Sequence, residues 1–182
     1  MSAAMTETAA QGSPFWRFSL RFYRQPAVAD ACIALQDDCG VDVNILLFLL
    51  WLAGERRQIG AAEVRSLCAA AAPWRDVVVA PLRTMRRRLK EVVPLVERGA
   101  AELFRTRVKA IELEAERLQQ EALFALAASL PTAAAAEIGA AARANVTAYA
   151  AALDVSLPTA PTNVLFAALR AGPAARPRTA QV

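Results

Sequence analysis

From Ile45 to Ala53 nine consecutive residues are apolar, with no polar position recurring at helical spacing. A helix that is apolar on every side must be covered on every side, and nine residues fall well short of the about 20 that cross a bilayer. The stretch therefore reads as the buried central helix of a helical domain, over Val43 to Ala53. Its boundaries are written beside it. Gly40 suits the left-handed residue that ends a preceding helix. Asp42 is placed to cap the next one by accepting from its first-turn amides, and Gly54 can close the far end.

The remaining pattern lays helices around this one. Ser13-Pro14 opens a first helix, with Ser as N-cap and Pro at the first helical position. Phe15, Trp16, Phe18, Leu20, Phe22 and Tyr23 give it an aromatic surface for the central helix, and Gln25-Pro26 breaks it. Val28, Cys32 and Leu35 stripe a second helix, about Pro26 to Asp38. Glu55, Arg56, Arg57 and Gln58 form a polar turn. A fourth helix, about Ala61 to Ala71, turns Val64, Leu67 and Cys68 inward. A fifth element starts at Pro73-Trp74 and runs to Val93 as a helix kinked at Pro81.

The longest regular stretch, about Ala100 to Ser129, carries Phe104, Val108, Ile111, Ala115, Leu118, Ala122 and Ala125 four and three apart. That is the seam of antiparallel or coiled-coil packing. Pro131 ends it. An Ala-rich helix from Thr132 to about Leu153, with Ile138, Ala142, Tyr149 and Leu153 on one face, pairs with it as a helical hairpin. A loop, Ser156 to Pro161, precedes a short helix from Thr162 to Ala171. The fold class is thus all-α: a single-domain bundle around a buried central helix, with a long hairpin in its C-terminal half. Residues 1–12 and 172–182 are expected to be disordered. The domain is 13–171, an aromatic-rich half at 13–93 followed by the hairpin and last helix at 94–171.

Composition changes this picture little. The length of 182 residues suits one domain, and 7 glycines with long Ala, Leu, Arg and Glu runs argue against a β protein. The net charge of +4 is mild. Three cysteines, Cys32, Cys39 and Cys68, form no C-x-x-C pair and suit the reduced thiols of a cytoplasm. The N-terminal M-S-A-A-M-T-E-T-A-A-Q-G lacks a basic n-region and an apolar h-region. A cytoplasmic location and no membrane partner are expected.

The candidate chemistry is bounded first by exclusion. The chain has no histidine, which removes Ser-His-Asp and Cys-His nucleophiles, His-ligated zinc and imidazole proton transfer. It has neither G-x-x-x-x-G-K-[ST] nor G-x-G-x-x-G. No catalytic residue, cofactor or metal ligand is assigned, and an enzyme is not the favoured class. Asp37, Asp38 and Asp42 gather where the second and third helices meet. They read as an oxygen-rich cation site or as a solvated loop with an N-cap, the latter preferred because EF-hand spacing is absent. Asn44 either reinforces the cap or aims its amide at a buried partner. Arg83, Arg86, Arg87, Arg88 and Lys90 are the densest positive patch. Arg83, Arg87 and Lys90 fall on one face as a candidate anion site, though Glu91 and Glu97 follow and no aromatics interleave. On the long helix Arg105, Lys109, Glu112 and Glu116 share a stripe. Glu112 and Glu116, four apart, repel unless a cation sits between them; Arg56 or Arg57 is the expected partner.

The segment F-W-R-F-S-L-R-F-Y-R-Q-P-A-V-A-D-A-C-I-A-L-Q-D-D-C-G-V-D-V-N-I-L-L-F-L-L-W, with W-R-D-V-V-V-A-P-L-R and R-V-K-A-I-E-L-E-A-E-R downstream, resembles an uncharacterised family of small helical proteobacterial proteins. That family is a domain of unknown function marked by a D-V-N-x-x-L-F box, here Asp42 to Phe48. The resemblance spans roughly Phe15 to Leu118. It implies a bacterial, cytoplasmic, helical protein and brings no activity, cofactor or catalytic residue. Three functional classes follow from the residues. The first is a non-enzymatic interaction or scaffold module that binds another protein's helix. The second is a small-ligand or unusual enzyme site lined by Asp42, Asn44, Arg56 and the Lys109/Glu112/Glu116 stripe. The third is nucleic-acid binding through Arg83, Arg87 and Lys90.

Overall fold

Ser13 Oγ accepts from the Trp16 amide at 3.1 Å, and Pro14 takes the first position of α1 (Pro14–Tyr23). Helix α2 (Val28–Cys39) ends at Gly40, whose φ of 65° is the left-handed conformation that costs glycine nothing. Asp42 Oδ1 then accepts from the amides of Asn44 at 2.9 Å and Ile45 at 3.4 Å and caps α3 (Val43–Gly54). These three boundaries are the ones the sequence predicts. The computed structural model describes residues 12–91, 95–135 and 137–172. The expectations for residues 1–11 and 173–182 lie outside them, as do Val92 and Val93. The fifth element expected to reach Val93 ends earlier: its helix stops at Arg88, and the amides of Lys90 and Glu91 turn back to the Arg87 and Arg88 carbonyls.

The chain continues through strand β1 (Arg57–Gln58), α4 (Ala61–Trp74), a π-turn (Arg75–Val79), α5 (Ala80–Arg88), α6 (Arg98–Leu126), strand β2 (Ala133–Ala134), α7 (Ile138–Leu153) and α8 (Thr159–Ala171). Helix α3 is buried at every residue from Asn44 to Ala53. Helix α1 covers one side, with the Phe15 ring centred 5.2 Å from Phe48 and 5.7 Å from Trp51. Helix α6 covers another, Phe124 lying 5.5 Å from Trp51, and α7 makes the most extensive packing of all against α3. Helix α8 lies on α2 and α7. No helix among the described residues is long and apolar enough to cross a membrane.

The second half of the chain departs from expectation in several places, each with a physical reason. The Ala-rich α7 packs chiefly on α3 and α4 rather than lying along α6 as one arm of a hairpin. It starts at Ile138 instead of Thr132, because Ala133 and Ala134 pair antiparallel with Gln58 and Arg57. The Ala135 amide also donates to the Arg56 carbonyl at 2.8 Å, so the backbone groups of this segment are taken by a strand pair before a helix can claim them. Gly54 is the last residue of α3, and the left-handed residue that reverses the chain there is Arg56, at φ 56°. Pro73 breaks nothing: α4 runs through it, and the Trp74 indole anchors the segment by donating to the Ala115 carbonyl at 3.0 Å. The irregularity expected at Pro81 is the π-turn just before it, where the Ala80 amide reaches back five residues to the Arg75 carbonyl. Pro81 has no N–H to donate to Val77, and its ring would crowd that carbonyl in a regular turn; the widened turn relieves both. Helix α8 begins at Thr159, three residues earlier than expected, taking Pro161 into its first turn.

Candidate functional site

Once Asp42 has capped α3 with Oδ1, its second carboxylate oxygen still needs a partner. Gln119 of α6 supplies it, Nε2 donating to Oδ2 at 2.8 Å. Gln119 Oε1 accepts from Asn44 Nδ2 at 2.8 Å, and Asn44 Oδ1 accepts from Gln120 Nε2 at 2.8 Å. The Tyr149 hydroxyl of α7 closes the group: it accepts from the Asp42 amide at 2.9 Å and donates to the Asp42 carbonyl at 3.3 Å. Asp42, Asn44, Gln119, Gln120 and Tyr149 are all buried. A second set mirrors it near the far end of α3. There Asn145 donates to the carbonyls of Leu49 (3.1 Å) and Arg57 (3.0 Å) and accepts from the Ile59 amide (3.0 Å). These networks fix the placement of α6 and α7 on an otherwise featureless apolar cylinder, because any slip would strand buried amides without partners.

The stripe on α6 is also internal. Glu112 is buried and takes both Arg83, whose Nε donates at 3.3 Å, and Arg86, which contacts both of its oxygens. Arg83 Nη2 donates to Glu116 at 2.7 Å. The cations between the two carboxylates thus come from α5, brought there past the π-turn, and not from Arg56 or Arg57. Burial pushes the Glu116 carboxyl up, with Glu112 and Asp42 adding to the effect and Arg83 opposing it. Arg87 donates to Asp37 at 2.8 Å and holds that carboxyl below its ordinary value. Lys90, Lys109 and Asp38 are exposed.

The structure therefore brings together Asp42 and Asn44, and separately Glu112 and Glu116. Arg56 sits at the opposite end of α3, roughly 18 Å away at 1.5 Å per residue. The anion-site trio does not share one open face: Arg83 is turned onto Glu112 and Glu116, Arg87 onto Asp37. Asp37, Asp38 and Asp42 do not converge, and among the described residues no group of three or more cysteines or acids is placed to hold a metal ion. Sequence reasoning misses Gln119, Gln120 and Asn145: Asn145 at least stands out in an Ala-rich stretch, whereas Gln119 and Gln120 lie among charged residues that hide them.

Burial acts on the two tyrosines of the chain in one direction. Tyr23 is pushed up to about 12, and Tyr149 is raised above the ordinary phenol value. The folded protein thus holds both phenolic protons more tightly than the unfolded chain. The stability this contributes is complete below about pH 10 and is lost as pH rises beyond it. Absorbance at 295 nm should show little phenolate at about pH 11, with the 37%-exposed Tyr23 ionising before the buried Tyr149, which waits for unfolding. Ionisation of both tyrosines near pH 10 in the still-folded protein would contradict the burial of Tyr149.

The outer side of α6 is different in kind. Of the predicted seam, Val108 and Ala115 are buried, while Phe104, Ile111 and Leu118 are 51%, 55% and 44% exposed. The inward face of α6 is instead Val108, Glu112, Ala115, Gln119, Gln120 and Leu123. Phe104, Ile111 and Leu118 recur every seven residues as a nearly straight apolar strip facing solvent. Beside Leu118 the strip runs into a groove of ≈ 340 Å³ between α4 and α6, lined by Ala70, Ala71, Trp74, Ala122 and Leu126 among others. Its lining mixes small alanines with the large Trp74 and Leu126, an apolar surface that suits an inserted side chain.

Comparison with curated proteins and with solved structures gives no match. A family model does match residues 14–123, from the first residue of α1 to within three residues of the end of α6. The match contains the α3 cap, the Asp42–Asn44–Gln119–Gln120 network, the Arg83/Arg86 cluster and the exposed strip. On that coverage the chain belongs to the family described as "Protein of unknown function (DUF2390)".

Proposed function

We propose that this protein is a non-enzymatic helix-docking module, whose docking surface is the outer strip of α6 and the adjoining groove against α4. One observation carries the reading: Phe104, Ile111 and Leu118 are exposed seven residues apart on a helix whose opposite face is pinned by buried polar partners. A contiguous exposed apolar strip marks an interaction surface, and a seven-residue repeat is matched by a partner helix of the same period. The alternative site residues support it indirectly, since Asp42, Asn44, Glu112 and Glu116 are engaged with each other's neighbours. Three free cysteines, Cys32 fully buried with its thiol pushed up to about 12, fit a reducing cytoplasmic compartment.

The test is methyl NMR of the isoleucine side chains during titration with a synthetic amphipathic helix carrying Leu at heptad positions. Ile111 should shift while buried Ile45 and Ile59 stay still. Phe104→Glu should abolish the shift and leave the thermal melt within about 0.5 kcal/mol of wild type, as expected for an exposed position. An unmoved Ile111, together with DNA binding that weakens steeply with salt and is lost in Arg87→Ala/Lys90→Ala, would replace this reading with nucleic-acid binding.

A further inference from the structure

The docking surface just described leaves its occupant open, and the charge order along α6 names one. We propose that the helix received is α6 of a second copy of this chain, packed antiparallel about a two-fold axis through Ile111; the inference rests on the docking reading above. The strip is symmetric about that residue. Phe104 and Leu118 stand seven residues to either side, so an antiparallel copy sets Phe104 of each chain against Leu118 of the other.

The charges at the edge of the strip decide between the two directions. Of the acids after Ile111, Glu112 and Glu116 are turned inward onto Arg83 and Arg86, and Glu121 accepts from the Ser13 amide. Glu114 is the acid left on the outer side, and Arg107 and Lys109 are exposed bases before Ile111. A parallel copy would set Arg107 level with Arg107 and Glu114 level with Glu114; the antiparallel copy exchanges them. At the edge of the strip, the exposed Arg107 falls beside the exposed Glu114 of the other chain, once on each side of the axis. Glu114 meets only Arg117 on its own helix, at 2.6 Å, and among the described residues Arg107 has no ion pair within the chain. A seven-residue repeat drifts about 20° per heptad on a straight helix. The two helices therefore wrap left-handed, and Phe104 of the other copy, opposite Leu118, meets the mouth of the groove that Leu118 and Ala122 line beside α4. A closed two-fold pair of this kind is the commonest form of self-association.

Sedimentation of the full chain across micromolar to 100-fold higher concentration should show a reversible dimer. Ile111→Glu, which meets itself on the axis, should give a monomer with an intact far-UV spectrum. Arg107→Glu should weaken the dimer by about tenfold or more, and adding Glu114→Arg to it should restore wild-type affinity. Mixing Phe104→Cys with Leu118→Cys protein should give a disulfide-linked pair that neither variant gives alone. Self-cross-linking of Phe104→Cys, a dimer unaffected by Ile111→Glu, or a folded monomer at the highest concentration would each overturn the proposal. In the last case a peptide that still shifts Ile111 would leave the docking reading standing with a different partner.

Discussion

A chain ending at Leu123, the last residue matched to the family, is expected to lose cooperative unfolding altogether. The segment 14–123 holds α3 but not the helix that covers it most extensively. Helix α7 presses the buried Ala141, Ala142, Val146 and Tyr149 into the core cluster that contains α3. Without it the Leu49 carbonyl and the Ile59 and Asp42 amides lose the hydrogen bonds made by Asn145 and Tyr149. Each such group exchanges its protein partner for water, a net loss of about 0.5–1.5 kcal/mol. Each large apolar side chain returned to water costs about 1.5–3 kcal/mol more. A handful of such losses exceeds the 5–15 kcal/mol that typically separates folded from unfolded domains. Urea denaturation followed by near-UV circular dichroism reads the outcome directly. A sigmoidal transition at the full-length midpoint would show that the matched segment folds alone and that α7 is an ornament.

Trp51→Ala in the full-length chain is expected to cost about 3–5 kcal/mol. Trp51 is 8% exposed and sits among three rings, with centroids 5.7 Å from Phe15, 5.7 Å from Phe48 and 5.5 Å from Phe124. It therefore joins α1, α3 and α6 at one point, and its removal takes away burial and three tilted ring contacts together. Trp51→Phe, which keeps a ring in the cluster, should recover more than half of the loss. Because the substitution removes a fluorophore, unfolding is followed by far-UV circular dichroism. A cost below about 1 kcal/mol would mean that the cluster relaxes into the space, which the close packing of protein interiors opposes.

The parts of this fold that were legible in the sequence are those whose physics is local. Ser13-Pro14, Gly40 and Asp42 act on amides within four residues, and the run Ile45–Ala53 declares its own burial. Helix α6 shows where that reasoning stops. Apolar periodicity turns Phe104, Ile111 and Leu118 inward because it assumes that a buried face is an apolar one. The true inward face includes Glu112, Gln119 and Gln120, tolerable there only because Arg86, Asp42 and Asn44 arrive from 26, 77 and 76 residues away. Nothing within a helical turn of Gln119 announces Asp42. The same holds at Ala133-Ala134, where a stretch of good helix formers becomes a strand because Arg57 and Gln58 offer a partner. Among the site candidates, Asp42 and Asn44 were recognisable as a unit because one cap holds both. The link between Arg56 and that unit failed because the helix separating them is rigid.

The reach of one hydrogen bond sets a timetable for the growing polypeptide. Tyr149 closes on Asp42 across 107 residues, and synthesis adds about 5–20 residues per second. Roughly 5–20 s therefore pass after the α3 region is made before the helix that seals it exists. Throughout that interval a nascent chain carries nine consecutive apolar residues with one flank unshielded, the kind of surface that aggregates or engages chaperones. Ribosomal pauses between Leu126 and Tyr149 should thus cost more soluble yield than pauses of equal length placed after Leu153.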